Sequence, residues 1–178
     1  MPGWSFGWQG LWGIHENSVP VGTIGVMGVS LIKLEWDNET QQADAPLNSG
    51  GFLDTSSGFE TAVAISLFSW ARDDSADPNV VPQKYGWWGD TFAPNAGDRT
   101  GSKLWTLARA KVNADTMGKA KTYALEALQW MLDDGVAKSV LVEVERFNLE
   151  TIAMKISITR KQGGRWDSVW KVHLNGLF

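Results

Sequence analysis

Ile152-Ala153-Met154-Lys155-Ile156-Ser157-Ile158 alternates large apolar residues with small or polar ones. Successive side chains of an extended chain point to opposite faces, so this stretch reads as a strand with one buried side. Downstream, Gly163-Gly164 signals a hairpin turn, and Trp166, Trp170, Val172 and Leu174 supply the next strand. Upstream, Val140, Val142 and Val144 repeat the same alternation. Three neighbouring strands joined by short connections form an antiparallel meander.

The segments before the meander read as helical. Met117, Ala120, Ala124, Ala127, Leu128 and Met131 recur at helical spacing from about Asp115 to Asp133, with Asn113 or Asp115 as the N-cap and Gly135 ending the helix. Asp133 and Asp134 then stand at a helix C-terminus, where the dipole is already negative. Solvent, a basic partner, or Lys138 or Arg146 folding back would compensate them. A second helix is expected from about Phe59 to Ala71, capped by Ser56 or Ser57, with Ala62, Val63, Ile65, Leu67, Phe68 and Trp70 on a broad apolar face. Ile32, Leu34 and Trp36 alternate with Lys33, Glu35 and Asp37 as a half-buried strand. The polar run from Asn38 to Gly51 is a loop or long hairpin connection, and Phe52-Leu53 a short return strand.

Between the helices lies an aromatic, Gly-rich stretch from Tyr85 to Trp105. Trp87, Trp88, Phe92 and Trp105 sit among Gly86, Gly89, Gly97 and Gly101, the composition of a compact surface platform. It ends in a short helix starting near Gly101, capped by Thr100 or Ser102 and carrying Leu104, Trp105, Leu107 and Ala108. Ahead of Ser30, Trp4, Trp8 and Trp12 recur every four residues, but Gly3, Gly7, Gly10 and Gly13 would make an isolated helix marginal. This apolar arm is expected either to order on a neighbouring subunit, with its Trp side chains as anchors, or to pack across its own domain. The layout is α+β: a small single domain at 30–178, with helices packed on an antiparallel sheet that ends in a three-strand meander, preceded by an extended arm at 1–29.

Composition narrows the function. A net charge of −4 with scattered Lys and Arg gives no footprint for nucleic acid. The absence of Cys and the presence of only two His argue against disulfides and thiolate or zinc sites, and no cofactor is expected. No run approaches the roughly 20 apolar residues of a membrane span, and the N-terminus lacks a secretory pattern. The 11 Trp imply large contact areas, part of them against other chains. Asp73, Asp74 and Asp77 lack the Gly and distal Glu of a calcium loop and read as a solvated turn. Glu60, Asp90 and Asp98 near the Trp-rich loop imitate a two-carboxylate sugar cleft. Glu60, however, has ordinary work in a first helical turn, and Asp90 and Asp98 in local turns. A glycoside hydrolase or a carbohydrate-binding module is therefore the alternative reading, and a non-enzymatic protein the principal one.

Glu60-Thr61-Ala62-Val63-Ala64-Ile65-Ser66-Leu67-Phe68, Gly86-Trp87-Trp88-Gly89-Asp90, Gly97-Asp98-Arg99-Thr100-Gly101-Ser102-Lys103-Leu104-Trp105 and Ala127 to Ala137 follow one another in order. Together they resemble the gene-product-46 family of Mu-like phages over roughly residues 30–175. More distantly they resemble the small baseplate wedge protein of contractile tails known as gene product 25 in T-even phages, and its type VI secretion counterpart. The resemblance implies a structural subunit of a virion tail baseplate, assembled in the host cytoplasm. Its implied partners are other wedge proteins, the tail sheath subunit, and hub or tube proteins; nucleic acid, membrane and small-molecule substrates are not among them. It also implies that the meander edge receives a sheath strand and helps initiate the sheath. The platform with Asp98 and Arg99 would then face the wedge, Arg99 pairing with Asp90 or with a partner carboxylate. Where the wider wedge family carries Glu-Pro-Arg before the meander, this chain has Asp133-Asp134-Gly135-Val136.

Overall fold

The computed structural model describes residues 32–55, 58–73, 86–92, 99–161 and 163–175. Its centre is the alternating stretch. Thr151–Arg160 pairs antiparallel on one side with Ala137–Arg146 and on the other with Arg165–His173. Named in chain order, the elements are β1 (Glu35–Asp37), β2 (Gln42–Asp44), α1 (Gly58–Phe68), α2 (Ala114–Leu128), α3 (Trp130–Asp133), β3 (Ala137–Arg146), β4 (Thr151–Arg160) and β5 (Arg165–His173). Single 3-10 turns at Trp88–Phe92 and Leu104–Leu107 lie between α1 and α2. The sheet order is β3-β4-β5, the expected meander, and β1 and β2 form a separate hairpin. The fold is α+β.

Register explains the core. Val142 pairs with Ile156 and Val144 with Met154; Ile158 in turn faces Trp166, Met154 faces Trp170 and Ile152 faces Val172. All these side chains share one face, and Val142, Ile152, Met154, Ile156, Ile158 and Val172 are fully buried. Ala120, Ala124, Leu128 and Met131 cover them from α2 and α3, and Ala62, Val63 and Leu67 from α1. Each such large apolar side chain contributes about 1.5–3 kcal/mol of burial. The outer face carries Glu143 bridged to Lys155 at 3.6 Å and Arg165 forked onto Asp167.

Several elements depart from the sequence reading. The second helix ends at Phe68 instead of Ala71, because the chain extends there to bridge Trp70 to Ser102: the Ala71 N–H donates to the Ser102 carbonyl at 2.9 Å, and the Ser102 N–H donates to that of Ser69 at 2.9 Å. The helix expected to run to Asp133 tightens at Gln129, whose N–H reaches the Glu126 carbonyl, so α3 is a separate turn. That step buries Met131 and lets the Trp130 indole N–H donate to Ser66 Oγ at 3.0 Å. Asn113 does cap α2, accepting from the Thr116 N–H at 2.8 Å. The expected helix at Gly101 is one 3-10 turn, Leu104–Leu107; Lys103 before it makes no side-chain cap bond, but the expected Ser102 does, its Oγ accepting from the Leu104 N–H at 3.2 Å. The chain is drawn out of helical geometry at Arg109, which has φ 65° and donates its N–H to the Leu174 carbonyl at 2.8 Å. Only Glu35–Asp37 of the first expected strand is paired in a sheet, its return partner lies within the polar run, and Phe52-Leu53 reduces to a Leu47–Leu53 bridge. Ser56, Ser57 and the arm at 1–29 lie outside the described residues.

Candidate assembly interface

The root of the aromatic platform is fixed from below. Trp105 is a core residue: its indole N–H donates to the Ala71 carbonyl at 2.8 Å and its ring lies 6.1 Å from that of Trp70. Ser102 Oγ donates to the Leu67 carbonyl and accepts from the Leu104 N–H. Gly101, at φ 97°, passes so close to the extended segment after α1 that a Cβ there would stand 2.4 Å from the Ser69 carbonyl oxygen. The backbone bridge to that segment therefore demands glycine at this position.

Above this root the turn Trp88–Phe92 presents aromatic rings to solvent. Trp88 is 73% exposed and Phe92 70%, with their centroids 6.2 Å apart and edge to face; Trp87 lies 5.7 Å from Trp88. Asp90 holds the turn, its N–H reaching the Trp87 carbonyl and its Oδ1 accepting from the Thr100 N–H at 3.1 Å. Its Oδ2 is buried with no hydrogen-bond partner among the described residues. Among the described residues the bidentate Asp90–Arg99 pair is thus not formed; the Thr100 amide takes Asp90 Oδ1, while the Arg99 side chain is exposed. Trp4, Trp8, Trp12 and Asp98 fall outside the described residues.

Asp133 and Asp134 end α3 in solvent, and Gln129 Nε2 donates to Asp133 Oδ1 at 2.9 Å. Arg146 does not fold back to them; it donates to the Val112 carbonyl instead. Glu60 receives the Trp166 indole N–H at 3.3 Å, a structural role in the first turn of α1.

Two features escape sequence reading. The β3–β4 loop exposes Phe147 and Leu149, the latter 79% exposed, with Lys171 Nζ 4.4 Å over the Phe147 ring. The β1–β2 turn carries Asn38 and Gln41 onto the edge of β5, bonding the backbone of Val169, Lys171 and His173. Gln41 does so at φ 57°, a conformation that costs a non-glycine residue about 1–2 kcal/mol. Asp37 organises that turn: the Glu39 N–H and the Thr40 hydroxyl both donate to its carboxylate at 2.8 Å and hold its pKa below the ordinary range.

The opposite edge differs. Because Lys171 turns its N–H and C=O away from β4, the alternation carried through the register leaves the N–H and C=O of Val140, Val142 and Val144 pointing out of the sheet. Among the described residues no hydrogen bond closes them. The subunit therefore offers outward backbone groups at Val140 and Val144, with Val142 between them fully buried, an exposed aromatic turn and an acidic helix end. These are the features of an assembly protein.

The chain belongs to the family described as phage protein GP46, which matches residues 59–165. It is 38% identical over 135 residues to the Mu-like prophage FluMu protein gp46 of Haemophilus influenzae, covering 76% of this chain and 90% of that relative. To the baseplate protein gp46 of Escherichia phage Mu it is 33% identical over 126 residues, 69% of this chain and 84% of the relative.

Proposed function

We propose that this chain is a non-enzymatic structural subunit of a phage tail baseplate, docking on other wedge proteins near the hub and helping to start the sheath by taking a partner strand onto β3. Its place in a baseplate follows from kinship with the phage Mu protein of that name. The observation that carries the docking mode is the edge strand β3, whose outward backbone groups at Val140 and Val144 are half-buried and unpaired among the described residues, backed by a fully packed sheet. Strand addition there satisfies backbone groups of both chains, and alternate side chains of the guest meet the apolar inner face. The turn with Trp87 and Trp88, together with Asp98, Arg99 and the Asp133–Asp134 helix end, suits the wedge contact. The interior residue Trp105 supports that surface from below. The arm at 1–29 would clasp an adjacent subunit through Trp4, Trp8 and Trp12, leaving 30–178 as the folded domain.

The test is co-purification from cells expressing the phage tail genes, with the tag at Phe178, followed by mass spectrometry and a peptidoglycan-cleavage assay on the same sample. Recovery of baseplate and sheath proteins without cleavage is the expected result. Cleavage by the protein alone, abolished by Asp90→Asn or Glu60→Gln, would overturn the proposal.

A further inference from the structure

The two edges of the β3-β4-β5 sheet are treated in opposite ways. On β5, four successive outward backbone groups are occupied by two side-chain amides. Asn38 donates through Nδ2 to the Val169 carbonyl at 3.3 Å and accepts through Oδ1 from the Lys171 N–H at 2.6 Å. Gln41 donates through Nε2 to the Lys171 carbonyl at 2.9 Å and accepts through Oε1 from the His173 N–H at 2.8 Å. A primary amide carries one acceptor beside its donors, as a peptide group does, so each side chain stands in for one peptide unit of a neighbouring strand. The turn is anchored: Trp36 stacks on Phe68 at 4.1 Å, and Gln41 Nε2 also reaches the Asn38 carbonyl at 2.8 Å. Gln41 holds a left-handed backbone that glycine would adopt more readily, but glycine would leave Lys171 and His173 open.

We propose that Asn38 and Gln41 are an edge lock that bars β5 from accepting a strand and so keeps copies of this chain from joining β3 to β5 head to tail. The excluded occupant is a second copy of the chain. Its β3 edge offers the complementary backbone groups of Val140 and Val144. On the outer face, its Glu143 and Glu145 can meet Lys171 of β5. Because β3 and β5 are opposite edges of one sheet, such a contact is heterologous and generates open chains instead of a closed dimer. With β5 locked, strand addition is confined to β3, whichever baseplate protein supplies the strand. The lock therefore stands or falls separately from the identity of that partner.

The test compares the full chain with the Asn38→Ala/Gln41→Gly variant by sedimentation velocity over a wide concentration range, with circular dichroism as the check on folding. The expected result is a folded variant that forms growing, concentration-dependent species where the parent does not. Adding Val144→Pro, which removes one outward N–H from β3, should suppress them. In the dilute variant, exchange of the Lys171 and His173 amides should accelerate by about tenfold or more. Gln41→Gly alone relieves the backbone strain and so retains the fold; it should bind a peptide copying residues 137–146, whereas the parent should not. A folded variant that sediments like the parent, association that survives Val144→Pro, or equal peptide binding by parent and Gln41→Gly would overturn the lock.

Discussion

Replacing Gly101 with Ala tests how rigidly the aromatic platform is joined to the core. The new Cβ would stand 2.4 Å from the Ser69 carbonyl oxygen and 2.7 Å from its carbon, both backbone atoms within the bridge between Trp70 and Ser102. Alanine would also have to hold φ 97°, which by itself costs about 1–2 kcal/mol. Relief of the overlap requires separating the strands of the bridge, with loss of the two bonds between Ala71, Ser102 and Ser69, each contributing about 1 kcal/mol. The sum is about 3–4 kcal/mol, which in a chain of this size lowers Tm by roughly 6–16 °C. Gly118→Ala is the internal control: it lies within α2, and a Cβ there meets nothing within 4 Å. It should stabilise by about 0.5–1 kcal/mol through helix propensity and unfolded-state entropy. Calorimetry on both variants reads the two shifts. A Gly101→Ala variant melting within about 2 °C of the parent would refute the close approach at the platform root.

Trp88→Ala and Arg99→Ala should each leave Tm nearly unchanged while lowering incorporation into baseplates, measured by quantitative mass spectrometry of purified particles; equal losses in both readouts would make them fold residues. Removal of residues 1–29 should leave a folded domain that joins the baseplate poorly, and normal incorporation would contradict the clasp. The pKa values of Asp37 and Asp167 are lowered, Asp37 chiefly by the Glu39 N–H and Asp167 chiefly by the Arg165 guanidinium. Their stabilisation is therefore fully present above the ordinary carboxylate pKa of about 4 and is lost as pH falls through the lower folded values. Carboxylate NMR titration should place both midpoints below the ordinary value; a midpoint at or above it would contradict the turn geometry of Asp37 or the Arg165 fork.

The meander was legible because its apolar residues alternate without a break from Ile152 to Ile158 and the Gly163-Gly164 turn fixes the register of the last pair. α2 was legible from its Ala and Leu stripe and its Asn113 cap. What failed depends on contacts distant in sequence. The early end of α1 is imposed by Ser102, and the break at Gln129 lets Trp130 reach Ser66, 64 positions away. Trp105 read as part of the platform because it shares the aromatic stretch, yet Leu104 and Leu107 in the same tight turn carry it inside. The candidate interface was half legible: the aromatic turn stands out in composition, whereas Asn38 and Gln41 look like ordinary polar loop residues until the fold places them 130–133 positions away on β5. Which edge is open is decided by that contact, and no local pattern carries it.

Amide hydrogen exchange of Val140 and Val144, compared between the isolated subunit and assembled baseplates, tests the central claim most directly. Strand addition at β3 predicts fast exchange in the isolated subunit and strong protection at these two positions in the particle. Lys171 and His173 should be protected in both. Unchanged exchange at the two valines in particles that contain the subunit would contradict docking through this edge.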